Sequence, residues 1–177
     1  DYTVTYSSNI NAGTAKAVVK GKGKYKGTVT LTFAIAKRDI KKAKVAVSAK
    51  VLYTGKAVKP NTKVVYGKTK LTLNKNYKIT CYSNKNFGKA KVVITGIGNY
   101  GGSVVRYFNI VTKAGKVYTY GNYRYKITNA STSGRGTVTL VSAVKKTTSV
   151  TVPDAIKLGG KTFKVTAIGG GAFKGNT

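Results

Sequence analysis

Residues Asp1 to Ile35 lie over Asn76 to Ile110 without a gap, at an offset of 75. Tyr2 falls on Tyr77, Asn9 on Asn84, Asn11 on Asn86 and Gly13 on Gly88. Further on, Gly21, Gly23, Tyr25 and Gly27 fall on Gly96, Gly98, Tyr100 and Gly102, and Phe33 falls on Phe108. Self-similarity at a fixed spacing marks an array of like units, each bound to fold the same way. Between the shared glycines, apolar and polar residues alternate. Tyr2, Val4 and Tyr6 alternate with Thr3, Thr5 and Ser7, and Val29, Leu31, Phe33 and Ile35 alternate with Thr28, Thr30 and Thr32. That period of two predicts half-buried strands. Ala15, Ala17 and Val19 predict a third strand, with Ser8 to Gly13 supplying a turn. Each copy thus reads as a small antiparallel sheet, and its glycine loop Gly21 to Gly27 leads into no helix.

The expectation is an all-β chain in three parts. Residues 1–36 are the C-terminal half of a truncated repeat, because Asp1 begins inside the pattern. Residues 37–112 are a complete repeat, with front-half strands expected at Lys44 to Tyr53, Val64 to Tyr66 and Leu71 to Leu73. The offset fails after Thr112, so residues 113–177 begin a different module. There Gly121-Asn122 predicts a hairpin turn, and Lys126 to Asn129, Gly136 to Ser142 and Thr148 to Val152 predict strands. Arg106 stands where the repeat has Leu31, so either that strand end is exposed or the Arg runs along the sheet with its head in water.

Two resemblances sharpen this reading. The shared pattern YxxTxxSNxNxGxAKxVxxGxGxYxGxxxxxFxI, over residues 1–112, resembles the repeated immunoglobulin-like β modules of clostridial and other Firmicute surface proteins. Val150 to Pro153 followed by Gly160 to Asn176 resembles the start of a BspA-like leucine-rich repeat domain. The second resemblance puts Phe163, Val165, Ile168, Ala172 and Phe173 at core-facing places. Together they imply tandem small β-sandwich or β-grasp-like modules, followed by the N-terminal cap and first turn of a leucine-rich repeat solenoid. They also imply an extracellular place, at a cell surface or in a cell wall. A solenoid needs several stacked turns, so trimming is expected at the C-terminus as well.

Charge narrows the chemistry. The chain carries 33 Lys and Arg against 3 acidic residues, a formal net charge of +30, and has no His. The acidic residues are Asp1, Asp39 and Asp154. General acid-base catalysis needs a group that titrates near the working pH, and paired carboxylates are excluded within residues 37–112 and 113–177. No catalytic residue, cofactor or metal ligand is therefore assigned. A single cysteine, Cys81, rules out a disulfide within the chain and reads as a packing thiol. No run of 18 apolar residues exists, so no membrane insertion is expected.

Such a surface attracts polyanions. The densest spots are Lys20, Lys22, Lys24 and Lys26, then Lys41 and Lys42, then Lys145 and Lys146. These are the candidate polyanion-binding residues. The expected role is a non-enzymatic surface stalk or adhesion protein, a monomer. Its partner would be a polyanionic glycan (mucin, teichoic acid or heparin-like) or a host surface protein. One alternative is nonspecific nucleic-acid binding, against which the small share of Arg speaks. Another is an accessory module of a surface hydrolase whose catalytic domain lies elsewhere. Tyr118, Tyr120, Tyr123 and Tyr125 either stack on sugars or cap a core.

Overall fold

The computed structural model describes residues 1–146 and 148–175. Asn176, the last residue of the leucine-rich-repeat resemblance, lies outside the described residues. The strands are β1 (Tyr2–Ser7), β2 (Gly13–Gly21), β3 (Thr28–Ile35), β4 (Arg38–Asp39), β5 (Lys44–Val47) and β6 (Lys50–Leu52). Next come β7 (Thr62–Tyr66), β8 (Thr69–Lys70), β9 (Tyr77–Tyr82), β10 (Gly88–Gly96), β11 (Tyr100–Gly101) and β12 (Ser103–Val111). The last five are β13 (Val117–Tyr120), β14 (Tyr123–Asn129), β15 (Gly136–Ala143), β16 (Ala155–Leu158) and β17 (Lys161–Ile168). One 3-10 turn, Ile40–Lys42, interrupts them, and no α-helix occurs among the described residues. The chain is all-β, as its alternation predicts.

The repeat is visible strand by strand. Moved by the offset, β1 and β2 match the bounds of β9 and β10, and β3 matches β12 but for one added residue at its end. The backbone repeats too. Ser8 and Ser83 both take positive φ, at 55° and 53°, as do Gly23 and Gly98, at 63° and 62°. A side chain at Gly23 would be strained in that conformation.

Two compact units divide the chain. One contains Asp1–Ala46, Thr62–Thr80 and Val93–Arg106; the other contains Val47–Asn61, Cys81–Val92 and Tyr107–Thr177. In the first, β1, β2 and β3 form an antiparallel meander, with Tyr2 opposite Gly21 and Gly13 opposite Ile35. β4 pairs in parallel with β11, Arg38 opposite Tyr100. β7 and β8 close a hairpin over Gly67, whose φ is 58°. Its buried residues include Ile40, Val64, Leu71, Tyr77, Ile94 and Val104. The asparagine Asn99 reaches the first copy: its Oδ1 accepts from the Ala12 amide at 2.7 Å, and its Nδ2 donates to Asn11 Oδ1 at 2.8 Å.

In the second unit, β6 pairs in parallel with the end of β12, Val51 opposite Ile110. A five-stranded sheet follows, in the order β13-β14-β15-β17-β16. Its inward residues alternate as a half-buried sheet requires: Tyr123, Tyr125 and Ile127 on β14, then Val138 and Leu140 on β15. The two parts of this unit join through aromatic rings. Tyr53 lies 4.5 Å from Phe87 and 5.5 Å from Tyr118, and Phe87 lies 5.9 Å from Phe163, centroid to centroid. The Tyr118 hydroxyl donates to the Tyr53 carbonyl, and the Gly159 amide donates to the Tyr53 hydroxyl at 3.1 Å.

Four expectations need correction. Thr148 to Val152 form no strand. β17 is flanked by β15 on one side and β16 on the other, so they do not pair with it, and Pro153 after them lacks the amide that pairing needs. The strand of that region is Ala155–Leu158 instead. Ile168 is exposed rather than core-facing: a bulge after Val165 sets it opposite buried Leu140, but it is the last residue of β17, where the sheet leaves it uncovered. Phe163 and Ala172 are buried as expected, and Val165 and Phe173 are half-buried. Lys44 to Tyr53 is two strands, broken at Ser48 where the backbone turns to Asn61. Leu71 to Leu73 lie past the end of β8, with Leu71 still bonded to Val64 and Leu73 in an isolated bridge to Tyr77.

Candidate polyanion-binding surface

The pleat places the lysines outward. All eight lysines singled out from sequence are exposed. Lys20 ends the polar face of β2, opposite Thr3 and Thr28. Lys22, Lys24 and Lys26 follow it on the glycine turn, which is closed by Gly21 N–H to Gly27 carbonyl at 3.1 Å. The sequence thus fans four cations along one strand end and turn. Lys41 and Lys42 form the 3-10 turn, held by Asp39, whose Oδ1 accepts from the Lys41 amide at 3.0 Å. Lys145 and Lys146 lie beyond β15, beside a shallow cleft of about 210 Å³ that Lys174 also lines. Sequence inspection missed Lys174, because the contact depends on the turn after β17.

A second group was also missed. Lys89 and Lys91 are two residues apart on β10, on the same side of the strand. The Lys89 ammonium sits 4.3 Å from the centre of the Tyr107 ring, and the Lys91 ammonium 4.5 Å from that of Tyr82. Tyr82 ends β9 and Tyr107 belongs to β12, the two strands flanking β10 in their sheet. Both rings are exposed. A ring face attracts a cation and fixes it without neutralising it, so each ammonium keeps its charge and its free donors for a ligand. Strand rise puts the two lysines about 7 Å apart along β10. The first copy has Thr14, Lys16, Ser7 and Thr32 at these places. The aromatic pair is therefore a departure from the repeat, and a comparison of the two copies signals it.

The tyrosine cluster of the last module divides. Tyr123 and Tyr125 are buried, with rings 6.4 Å apart, and Tyr118 is half-buried against Tyr53. These rings build the core, while Tyr120 stays exposed. The Tyr125 hydroxyl is buried with no hydrogen-bond partner. Burial, with Tyr123 and Tyr120 adding to it, pushes its pKa above the ordinary tyrosine value. Arg106 is exposed and folds back on its own strand, its Nη1 donating to the Val105 carbonyl at 2.9 Å.

Cys81 is half-buried. Burial pushes its thiol up, and the Lys59 charge pulls partly the other way. Its thiolate is therefore disfavoured at neutral pH. Among the described residues, no three of His, Cys, Asp and Glu gather where they could hold a metal ion. No helix of the described residues is long and apolar enough to cross a membrane. No family model matches the chain, and neither a curated protein nor a solved structure does.

Proposed function

We propose that the chain is a non-enzymatic binding and display segment of a cell-surface protein. Tandem β-sandwich or β-grasp-like modules would lead into a leucine-rich repeat solenoid, and the lysine-rich exterior would hold polyanionic glycans. The observation that carries the reading is the Tyr107–Lys89–Lys91–Tyr82 group, two ordered cations between two exposed rings. Ring faces suit the apolar faces of sugar units, and ammonium groups suit sulfate, phosphate or carboxylate. Around that group, every other lysine is exposed, and 3 acidic residues in the whole chain do little to offset them. The parallel pairing of β15 with β17, followed by a glycine turn, is consistent with the beginning of a solenoid.

The test is binding to heparin, sialylated mucin, teichoic acid and duplex DNA over a salt series. Screening weakens diffuse attraction to all of them alike as the Debye length falls. One glycan that stays bound near 0.5 M salt, about where such attraction has collapsed, while DNA is released, supports the reading. Equal loss of all four sinks it and leaves the charge a nonspecific property.

A further inference from the structure

The two copies differ most in what covers them. In the second copy, the glycine turn has a partner. Arg38–Asp39 pairs in parallel with Tyr100–Gly101, and the Arg38 amide donates to the Asn99 carbonyl at 2.9 Å. The Lys37 side chain lies against Gly101. The Asp39 carboxylate lies so close over Gly102 that a Cβ there would come within 2.7 Å of Oδ1. Ile40 follows, fully buried.

The first copy builds the same turn without that partner. Gly21 N–H to Gly27 carbonyl at 3.1 Å matches Gly96 to Gly102 at 3.0 Å, and Tyr25 to Lys22 at 3.2 Å matches Tyr100 to Ile97 at 3.1 Å. Yet Tyr25 and Lys26 belong to no strand, and a cleft of about 610 Å³ opens beside Tyr2, Gly21, Tyr25, Gly27 and Val29. The apolar face beside it is bare. Tyr2 is 69% exposed where Tyr77 is 4%, Val29 is 58% where Val104 is 8%, and Phe33 is 42% where Phe108 is 1%. The residue types are those of a core, and the backbone is that of a docked turn.

We propose that this open face of β1–β3 is a docking surface for the front half of a repeat of the same kind. The occupant is an extended segment with the Lys-Arg-Asp-Ile chemistry of residues 37–40. Its backbone adds a strand along Tyr25–Lys26, its carboxylate lies over Gly27, and the following aliphatic side chain enters the cleft. Strand addition to a free edge supplies main-chain hydrogen bonds, and pockets for alternate side chains supply specificity. Three turn residues differ from the second copy, Lys22, Lys24 and Lys26 for Ile97, Asn99 and Gly101, and of these Lys26 stands at the strand-pairing place. A Cβ at Gly101 would stand 3.4 Å from the Lys37 Cβ, which is ordinary contact, so the substitution is tolerated. It also sets a cation near the incoming carboxylate. Face-to-face pairing of two copies of this chain is the poorer fit. It would leave the Tyr25–Gly27 edge without a strand.

The test uses the full chain and a synthetic segment of residues 36–53 added in excess, read by hydrogen exchange. Protection of the Tyr25 to Ile35 amides should rise by about tenfold or more. It should persist as salt is raised to about 0.5 M, because both partners are cationic and their repulsion is screened. A control segment carrying Asp39→Lys and Ile40→Asp should give no protection, nor should the native segment added to the Val29→Gln chain, whose altered site is already exposed and whose net charge is unchanged. Polyanion binding should be unchanged in that variant, which separates this proposal from the glycan reading. Absent protection at millimolar segment, or equal protection by the control, overturns it. So does a chain that is already dimeric with these amides protected.

Discussion

The side chain of Asn99 holds the backbone of Ala12, its Oδ1 accepting the Ala12 amide at 2.7 Å while its Nδ2 donates to the neighbouring Asn11. This is how the second copy grips the turn of the first. Asn99→Ala leaves the amide and Asn11 Oδ1 without these partners, at a cost of about 1 kcal/mol for one part-buried and one exposed bond. The Ala12 amide should then exchange about tenfold faster. Asn99→Asp keeps the acceptor and should keep most of the protection. If both variants exchange like the parent, the bond does not hold the turn.

Gly159 is a joint that admits no side chain. Its φ is 52°, and an added Cβ would stand 2.7 Å from the Phe87 ring, which is itself packed on Tyr53 and Phe163. Gly159→Ala combines a left-handed backbone with a clash against a buried ring. It should destabilise by about 2–4 kcal/mol. Tyr53→Phe removes only the hydroxyl that accepts the Gly159 amide, and should cost about 1 kcal/mol. Chemical denaturation of the two variants checks both the size and the order. A Gly159→Ala chain as stable as the parent would show that the ring moves aside freely.

These joints explain what the sequence could and could not reveal. The offset made the correspondence of β1 and β2 with β9 and β10 legible, because strand alternation and glycine turns are local properties, though the alternation placed β2 only over Ala15 to Lys20. Asn99 also carried a signal, since the first copy has Lys24 there, and a polar residue that breaks the repeat is a candidate for a joint. Gly159, by contrast, reads from sequence as a turn glycine, and only its distance to Phe87 gives it a second reason. The strand expected at Thr148 to Val152 lies instead at Ala155–Leu158, whose pairing with β17 is a non-local property. Lys89 and Lys91 look like two of 29 lysines until register sets Tyr107 and Tyr82 beside them.

Tyr125 ties stability to alkaline pH. Its hydroxyl is buried without a partner, and burial raises its pKa, as burial does for Tyr77. A phenol whose folded pKa lies above its unfolded value favours the protonated form in the folded state. That contribution is complete below the unfolded pKa, about 10, and is lost as pH rises through the folded one. The chain should therefore lose stability above about pH 10. Tyr125→Phe should blunt that loss. At neutral pH it should be neutral or stabilising by up to about 1 kcal/mol, since it removes an unsatisfied polar atom. Thermal melts between neutral pH and pH 11 provide the measurement. A variant that is markedly less stable at neutral pH would mean that the hydroxyl has a partner after all.

The lysines on β10 separate a site from a cloud of charge. If attraction is diffuse, every pair of exposed lysines is worth the same, and each weakens polyanion binding by a similar small factor that salt abolishes. If the Tyr107–Lys89–Lys91–Tyr82 group is a site, replacing Lys89 and Lys91 with Ala should cost about tenfold or more in affinity, while replacing Lys20 and Lys22 should cost about threefold or less. The rings provide a second comparison. Tyr107→Ala leaves the net charge unchanged but frees the Lys89 ammonium from a contact worth about 0.5–1 kcal/mol. Its effect should therefore appear as weaker glycan binding at high salt with an unaltered salt slope. Lys89→Ala should reduce the slope itself, because one cation fewer is neutralised on binding. Titrations of heparin against the four variants at several salt concentrations read both quantities. Identical slopes and affinities for the β10 pair and the turn pair would remove the case for a site on this sheet.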